Sequence, residues 1–309
     1  MRPLKVGVEL AISQGKGGRQ DPTWAELKHN AARVEELGYD SIWIEDHLLF
    51  RYEGVDDHGV WDCWSMLAAL AAVTNRVEIG PLVSCTSFRN PALLAKIADT
   101  VDEISGGRLI LGLGAGWHEP EYQAFGFPFD HRVSRFEEAL TIISGLLKHG
   151  SIDFEGTYYS ARESVLAPRG PRPEGPPILL GTIGDRMLKL TAQHADYWNG
   201  YFTHTKNSPD GIAPLRERVD AACVAAGRDP GTLGRTAGVF VRFEDTGGAT
   251  LAPTWDAFPA LRGTPEEMAA ELRRYADQGI QHIQLWLEPN TLESIERFAP
   301  VLELLDAGV

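Results

Sequence analysis

The chain has 309 residues, of which 43% are apolar and 23% charged, and a formal net charge of -14. This composition suits a large folded core, and the acidic excess repels phosphates at long range, which excludes nonspecific nucleic-acid binding. Cys63, Cys85 and Cys223 form no CxxC pair, and neither a signal-like apolar run nor a membrane-length window occurs, so a cytoplasmic protein with no membrane partner, disulfide framework or zinc site is expected.

KVGVEL, from Lys5 to Leu10, reads as the first strand. Helical spacing follows from Thr23 to Leu37, opened by the capping box Thr23-Trp24-Ala25-Glu26. SIWIE is the second strand and runs into Glu45, Asp46 and His47; an Ala- and Leu-rich helix spans Trp61 to Val73. RVEIGPLV (Arg76–Val83) is the third strand, and Asn90-Pro91 supplies the N-cap and first-turn proline of a helix to about Ile104. RLILGLG (Arg108–Gly114) is the fourth strand, and Ser134-Arg135-Phe136-Glu137 has the form of a capping box opening a helix to His149.

Residues 151–177 break the alternation. DFEGTYYS suggests a hairpin and APRGPRPEGPP is proline-rich, so this stretch is read as an insertion or lid. The pattern resumes with ILLG, a helix over Asp185–His194, the strand DYWNG, a helix over Ser208–Ala226 and a strand over Thr236–Phe243. A second irregular stretch, 244–263, precedes the capping box Thr264-Pro265-Glu266-Glu267; HIQLWL and a helix from Leu292 to Leu305 complete the order. About eight strand–helix units predict an α/β chain folded as one (β/α)8 barrel over residues 1–309, with insertions after the fourth helix and the seventh strand. The alternative is an open doubly wound sheet with an appended domain.

Such a barrel carries its active site at the C-terminal ends of its strands. An imidazole beside two carboxylates is costly to bury unless each has a partner, so the end of WIEDH is read as functional: His47 as a proton carrier, with Asp46 beside it. The plain alternative is that Asp46 or Glu45 caps the next loop. In GLGAGWHEPEY, Gly114, Ala115 and Gly116 let backbone approach a planar ligand, unless the glycines merely pack against a neighbouring strand. Trp117 forms a wall there, and His118 and Glu119 add polar groups.

Gly181-Thr182-Ile183-Gly184 stands before a helix start, where free N–H groups attract anions; the Thr182 hydroxyl adds to this and the Asp185 charge opposes it. Ser84, Cys85 and Thr86 read as pocket lining and Arg89 as structural. Glu9 and Trp286, near the ends of the first and last strands, join Trp117 and His118 in a substrate pocket. No HxH, HExxH or GxSxG occurs, so neither a metal nor an acyl-transfer nucleophile is expected.

The runs WIEDH, GPLVSCTSFRNPALLAKIADTVDEISGGRLILGLGAGWHEPEYQAFG, RFEEAL and LLGTIGDRMLKLTAQHADYWN resemble the bacterial luciferase-like oxidoreductases, most specifically from Trp43 to Leu147. Within that family the chain resembles members that use coenzyme F420, a 5-deazaflavin, more than the flavin-dependent monooxygenases. The resemblance implies a (β/α)8 barrel with the tricyclic ring across the strand ends and a non-proline cis peptide at Leu82–Val83. It implies cofactor contacts at Leu82, Val83, Ser84 and Gly114 to Gly116, with the phosphate at Gly181 to Gly184. It further implies hydride transfer to or from a small organic substrate, and a homodimer through the helices beside strands two and three. The alternatives are a reduced-FMN monooxygenase and a barrel that binds a flavin-like ligand without catalysis. Trp117 stands where sugar-phosphate relatives carry an acidic glutamate, so a sugar phosphate is not the expected substrate.

Overall fold

The computed structural model describes residues 2–15, 21–243 and 258–308. Of the second expected insertion, 244–263, residues 244–257 lie outside the described residues. In chain order the elements begin with β1 (Lys5–Glu9), α1 (Trp24–Glu36), β2 (Ser41–Ile44), β3 (Leu49–Phe50), β4 (His58–Gly59) and α2 (Cys63–Val73). Next come β5 (Glu78–Pro81), β6 (Ser84–Cys85), α3 (Pro91–Ser105), β7 (Leu111–Gly114), α4 (Glu119–Phe125), α5 (Arg132–His149), β8 (Ser151–Glu155) and β9 (Ser160–Val165). The rest are β10 (Ile178–Leu180), α6 (Asp185–His194), β11 (Tyr197–Gly200), α7 (Phe202–Thr205), α8 (Pro209–Ala225), β12 (Gly234–Arg242), α9 (Pro265–Asp277), β13 (His282–Glu288) and α10 (Leu292–Ala307).

The chain divides into two compact units, one holding the residues up to Trp43 and from Gly181 onward, the other Ile44–Leu180. In the first, parallel strands lie in the order β2–β1–β13–β12–β11, with Val8 opposite both Ile42 and Leu285. β13 is buried at every position and β12 at all but its ends, as expected of strands covered on both faces. One buried polar set among them is linked: Trp43 Nε1 donates to Ser41 Oγ at 2.7 Å, and that oxygen lies 2.7 Å from His282 Nε2. Burial pushes the His282 pKa down to about 3, so the ring stays neutral. Thr23 and Thr264 form the reciprocal capping boxes that their spacing predicts, each cap being worth about 0.5–2 kcal/mol.

In the second unit β7 pairs in parallel with β6 and with β10. The third predicted strand does not continue to Val83. It stops at Pro81, the Leu82–Val83 peptide is cis at the bond the resemblance implies, and the chain resumes as β6. The glycines of β7 fit this turn. A Cβ on Gly112 would sit 2.1 Å from the Pro81 carbonyl oxygen, and one on Gly114 would sit 2.7 Å from Val83 Cγ2.

Two expectations about this unit are corrected. Ser134 is not an N-cap but lies inside α5, which starts at Arg132. Arg132 donates to the Gly116 carbonyl at 2.7 Å and lies 4.2 Å over the Phe129 ring, so tertiary contacts extend the helix beyond its local signal. Residues 151–177 do form the hairpin, β8 against β9, but the proline-rich part is not a lid. Arg169 donates to the Leu147 carbonyl, Gly170 N to Asp99 at 2.9 Å, and Arg172 pairs with buried Asp102; Pro177 then accepts from Leu111 N, at the start of β7. The strap therefore passes the end of the unit where strands begin, opposite the end that carries His47.

Among the described residues no helix is long and apolar enough to cross a membrane, and no cluster of three or more His, Cys, Asp or Glu could hold a metal ion. The three cysteines are buried and form no disulfide.

Candidate active site

Glu45, Asp46 and His47 follow β2 directly, and Asp46 and His47 meet the cost of burial in different ways. Asp46, 3% exposed, accepts through Oδ2 from Ser84 Oγ at 2.7 Å, Cys85 N at 3.0 Å and Arg89 at 2.7 Å. Arg89 also reaches Asp62, the N-cap of α2, at 3.0 Å, and Trp64 Nε1 donates to Ser84 Oγ at 3.1 Å. Burial opposes the Arg89 charge, but Asp46 and Asp62 outweigh it and hold its pKa above the ordinary value. Asp46 thus ties the end of β2 to β6 and is not the group that bonds His47. Arg89 is structural, as its sequence setting suggested.

The partner of His47 is Glu121. His47 Nδ1 donates to Glu121 Oε1 at 2.9 Å, and the other carboxylate oxygen accepts from Leu48 N at 2.8 Å. Glu121 is 1% exposed. Burial works against an imidazolium at His47, but the Glu121 hydrogen bond and charge, helped by Glu45 and Asp46, outweigh it and raise the pKa above 6.5. With Nδ1 committed, any proton exchanged with a ligand passes through Nε2. Phe50 packs on the ring at 4.4 Å between centroids, and Trp117 meets it edge-on at 5.5 Å. Sequence reasoning missed Glu121 because it missed α4. The signal was present: Glu119-Pro120-Glu121 puts a proline and two acids in a first helical turn.

The Nε2 of His118 is already engaged. The residue is 4% exposed, and Nε2 accepts from Arg51 N at 3.0 Å. Burial lowers its pKa, so the two neighbouring histidines are pushed in opposite directions. Glu119 accepts from Gln123 on the same helix at 3.1 Å, whereas Trp117 is 56% exposed.

Packing is enough to explain the glycine turn. Gly116 has φ 72°, and a Cβ there would lie 1.9 Å from Tyr122 Oη and 2.7 Å from Cys85 Sγ. Tyr122 Oη donates to the Ala115 carbonyl at 2.8 Å, so at 2.9 Å the Cys85 thiol is the donor to the phenol. Burial pushes that thiol up to about 12, which suits pocket lining and not a nucleophile.

In the first unit, Gly184 is the N-cap of α6 with no side-chain cap, and a Cβ there would meet nothing within 4 Å. The open first turn fits an anion site. Thr182 does not contribute its hydroxyl: the residue is buried and Oγ1 bonds Thr191 Oγ1 at 2.9 Å. Arg218 donates to the Ile183 carbonyl at 2.7 Å and to Asp185 at 2.8 Å, which offsets the charge that opposed anion binding. Glu9 is buried and its carbonyl accepts from Asn290 at 2.7 Å; Trp286 packs with Phe202 and Phe240 and borders a cavity of about 680 Å³ beside Ser13, His29 and Asn290.

Residues 4–254 match the profile of the family described as luciferase-like monooxygenase. The chain is 33% identical over 238 residues to the pyrimidine monooxygenase RutA of Cronobacter sakazakii, covering 74% of this chain and 68% of that one. It is 36% identical over 199 residues to the F420-dependent glucose-6-phosphate dehydrogenase of Amycolatopsis mediterranei, covering 62% and 56%. The chain thus spans between about half and two thirds of the length of these relatives. An F420-dependent secondary alcohol dehydrogenase, solved with an F420-acetone adduct, superposes over 99% of both chains with a TM-score of 0.80 at 19% identity. That likeness shows the fold, the expected (β/α)8 barrel.

Proposed function

We propose that this chain, which belongs to the luciferase-like monooxygenase family, is an oxidoreductase that uses coenzyme F420 to move a hydride to or from a small organic substrate. When bound, the deazaflavin supplies a carbon centre for two-electron hydride transfer. The His47–Glu121 pair carries this reading. A buried carboxylate at 2.9 Å favours the imidazolium and fixes its orientation, so Nε2 can hand a proton to the substrate atom left with an electron pair when hydride adds to the neighbouring carbon, or take that proton back in the reverse direction. Phe50 and Trp117 pack on that ring and hold it in place. Asp46 and Arg89 act one step back by holding Ser84 and Cys85 in place.

The uncapped N-terminus of α6 suits a phosphate, because its first-turn N–H groups are open and Gly184 leaves the approach clear. That fit is common to F420 and FMN. The likeness to a pyrimidine monooxygenase supports the second reading, a reduced-FMN monooxygenase, for which oxygen-dependent product formation is the distinguishing result.

The test is His47→Ala in single-turnover reactions across pH with any accepted substrate. The rate is expected to fall about 10²–10⁴-fold, while cofactor affinity changes only by the about 0.5–1.5 kcal/mol of one hydrogen bond. Full rate in the variant rules out His47 as the proton carrier.

A further inference from the structure

We propose that residues 48–59 are a lid over His47, that His118 is the latch that holds this lid closed, and that protonation of His118 releases it. The segment is a small antiparallel loop, with Leu49 opposite Gly59 and Phe50 opposite His58. Residues 53–57 at its tip are exposed, while Phe50 is buried against the His47 ring at 4.4 Å. Two side chains from the start of α4 grip its first half: Glu121 takes Leu48 N and His118 Nε2 takes Arg51 N. The His118 ring also packs on Phe50 at 5.9 Å, Tyr52 at 5.2 Å and Trp117 at 5.1 Å.

The chemistry of the latch follows from its donor. A backbone N–H needs a lone pair, so Nε2 is unprotonated and the ring proton sits on Nδ1. An imidazolium has no lone pair, and protonation would set N–H against N–H. The charged groups around the ring pull both ways. Burial, the strongest influence, favours the neutral ring; Glu121 favours the imidazolium; protonated His47 opposes it. Arg51 is paired with Asp57 at 2.5 Å, Tyr52 is a neutral phenol with a raised pKa, and Glu119 precedes Glu121 on α4. The net direction is down from 6.5, so closure selects the neutral ring. The latch is therefore complete above about pH 6.5 and weakens as pH falls below it. His118 is a positioning residue: through Arg51 N and its packing on Phe50 it sets where Phe50 sits on His47.

The lid matters to catalysis only if His47 does, so this inference rests on the proposed function, but its test does not need cofactor or substrate. Amide exchange of residues 48–59, corrected for the intrinsic pH dependence, is compared at about pH 5.5 and 7.5, with the β8–β9 hairpin as internal control. Wild type should show Arg51 N–H protected at the higher pH and roughly two- to tenfold less protected at the lower, the range that one net hydrogen bond gives. His118→Gln supplies an acceptor oxygen that does not titrate, and should keep the protection at both pH values. His118→Leu should lose it at both, with the control hairpin unchanged. Equal protection in wild type at both pH values, or a Gln variant that retains the wild-type pH step, overturns the latch. If His118→Leu does not fold, the comparison of wild type with His118→Gln still decides. A pH step in exchange together with failure to bind F420 would leave the latch standing and remove the cofactor reading alone.

Discussion

Replacing Glu121 with Gln tests the electrostatic core of the site. The carboxylate is 1% exposed and accepts two donors, His47 Nδ1 at 2.9 Å and Leu48 N at 2.8 Å. Gln keeps one acceptor oxygen, loses the charge and turns an NH2 group towards one of those donors. Removing one member of a buried ion pair costs about 3–5 kcal/mol, and the retained hydrogen bond places this variant near the lower end. The His47 pKa is raised in the folded protein, so the pair's contribution is complete below the ordinary 6.5 and is lost as pH rises through the raised value. The stability gap between wild type and Glu121→Gln should thus be widest in mildly acidic solution and shrink as pH rises. The assay is denaturant unfolding at several pH values, with the His47 ring followed by NMR. The ring should titrate at lower pH in the variant, because burial then acts with less opposition. An unchanged His47 midpoint would show that Glu121 is not what raises the pKa of the ring.

Gly184→Val should leave the thermal midpoint nearly unchanged, since a Cβ at that position meets nothing within 4 Å and φ is -79°. It should weaken cofactor binding by at least about tenfold, or about 1.4 kcal/mol; undiminished affinity would place the phosphate elsewhere. Gly116→Ala should destabilise the fold whether or not a ligand binds, by about 1–3 kcal/mol for the left-handed backbone alone and more for the clash with Tyr122. A denaturant midpoint equal to wild type would refute the packing role of that glycine.

The alternation of elements was legible because strands buried on both faces are apolar throughout, and because Thr23, Thr264 and Asn90 cap helices by contacts a few residues away. Ser134 carried the same kind of signal and failed, since the start of α5 is set by Arg132 reaching Gly116 across a turn. His47 could be found from the cost of ending a buried strand in charge. Glu121 could not be found that way, because the pair joins residues 74 apart and α4 is only seven residues long. The glycines of β7 and its turn were ambiguous for a physical reason. Close approach to a ligand and close approach to Val83 and Tyr122 demand the same absent side chain, and only the folded structure distinguishes them.

The most direct test of the deazaflavin reading is a side-by-side titration of the apoprotein with F420 and FMN. F420 is expected to bind at least about tenfold more tightly, a difference of about 1.4 kcal/mol, and the reduced cofactor is expected to turn over substrate without oxygen. Tighter binding of FMN, with product formed from reduced FMN only when oxygen is present, would contradict that reading and place the chain among the monooxygenases.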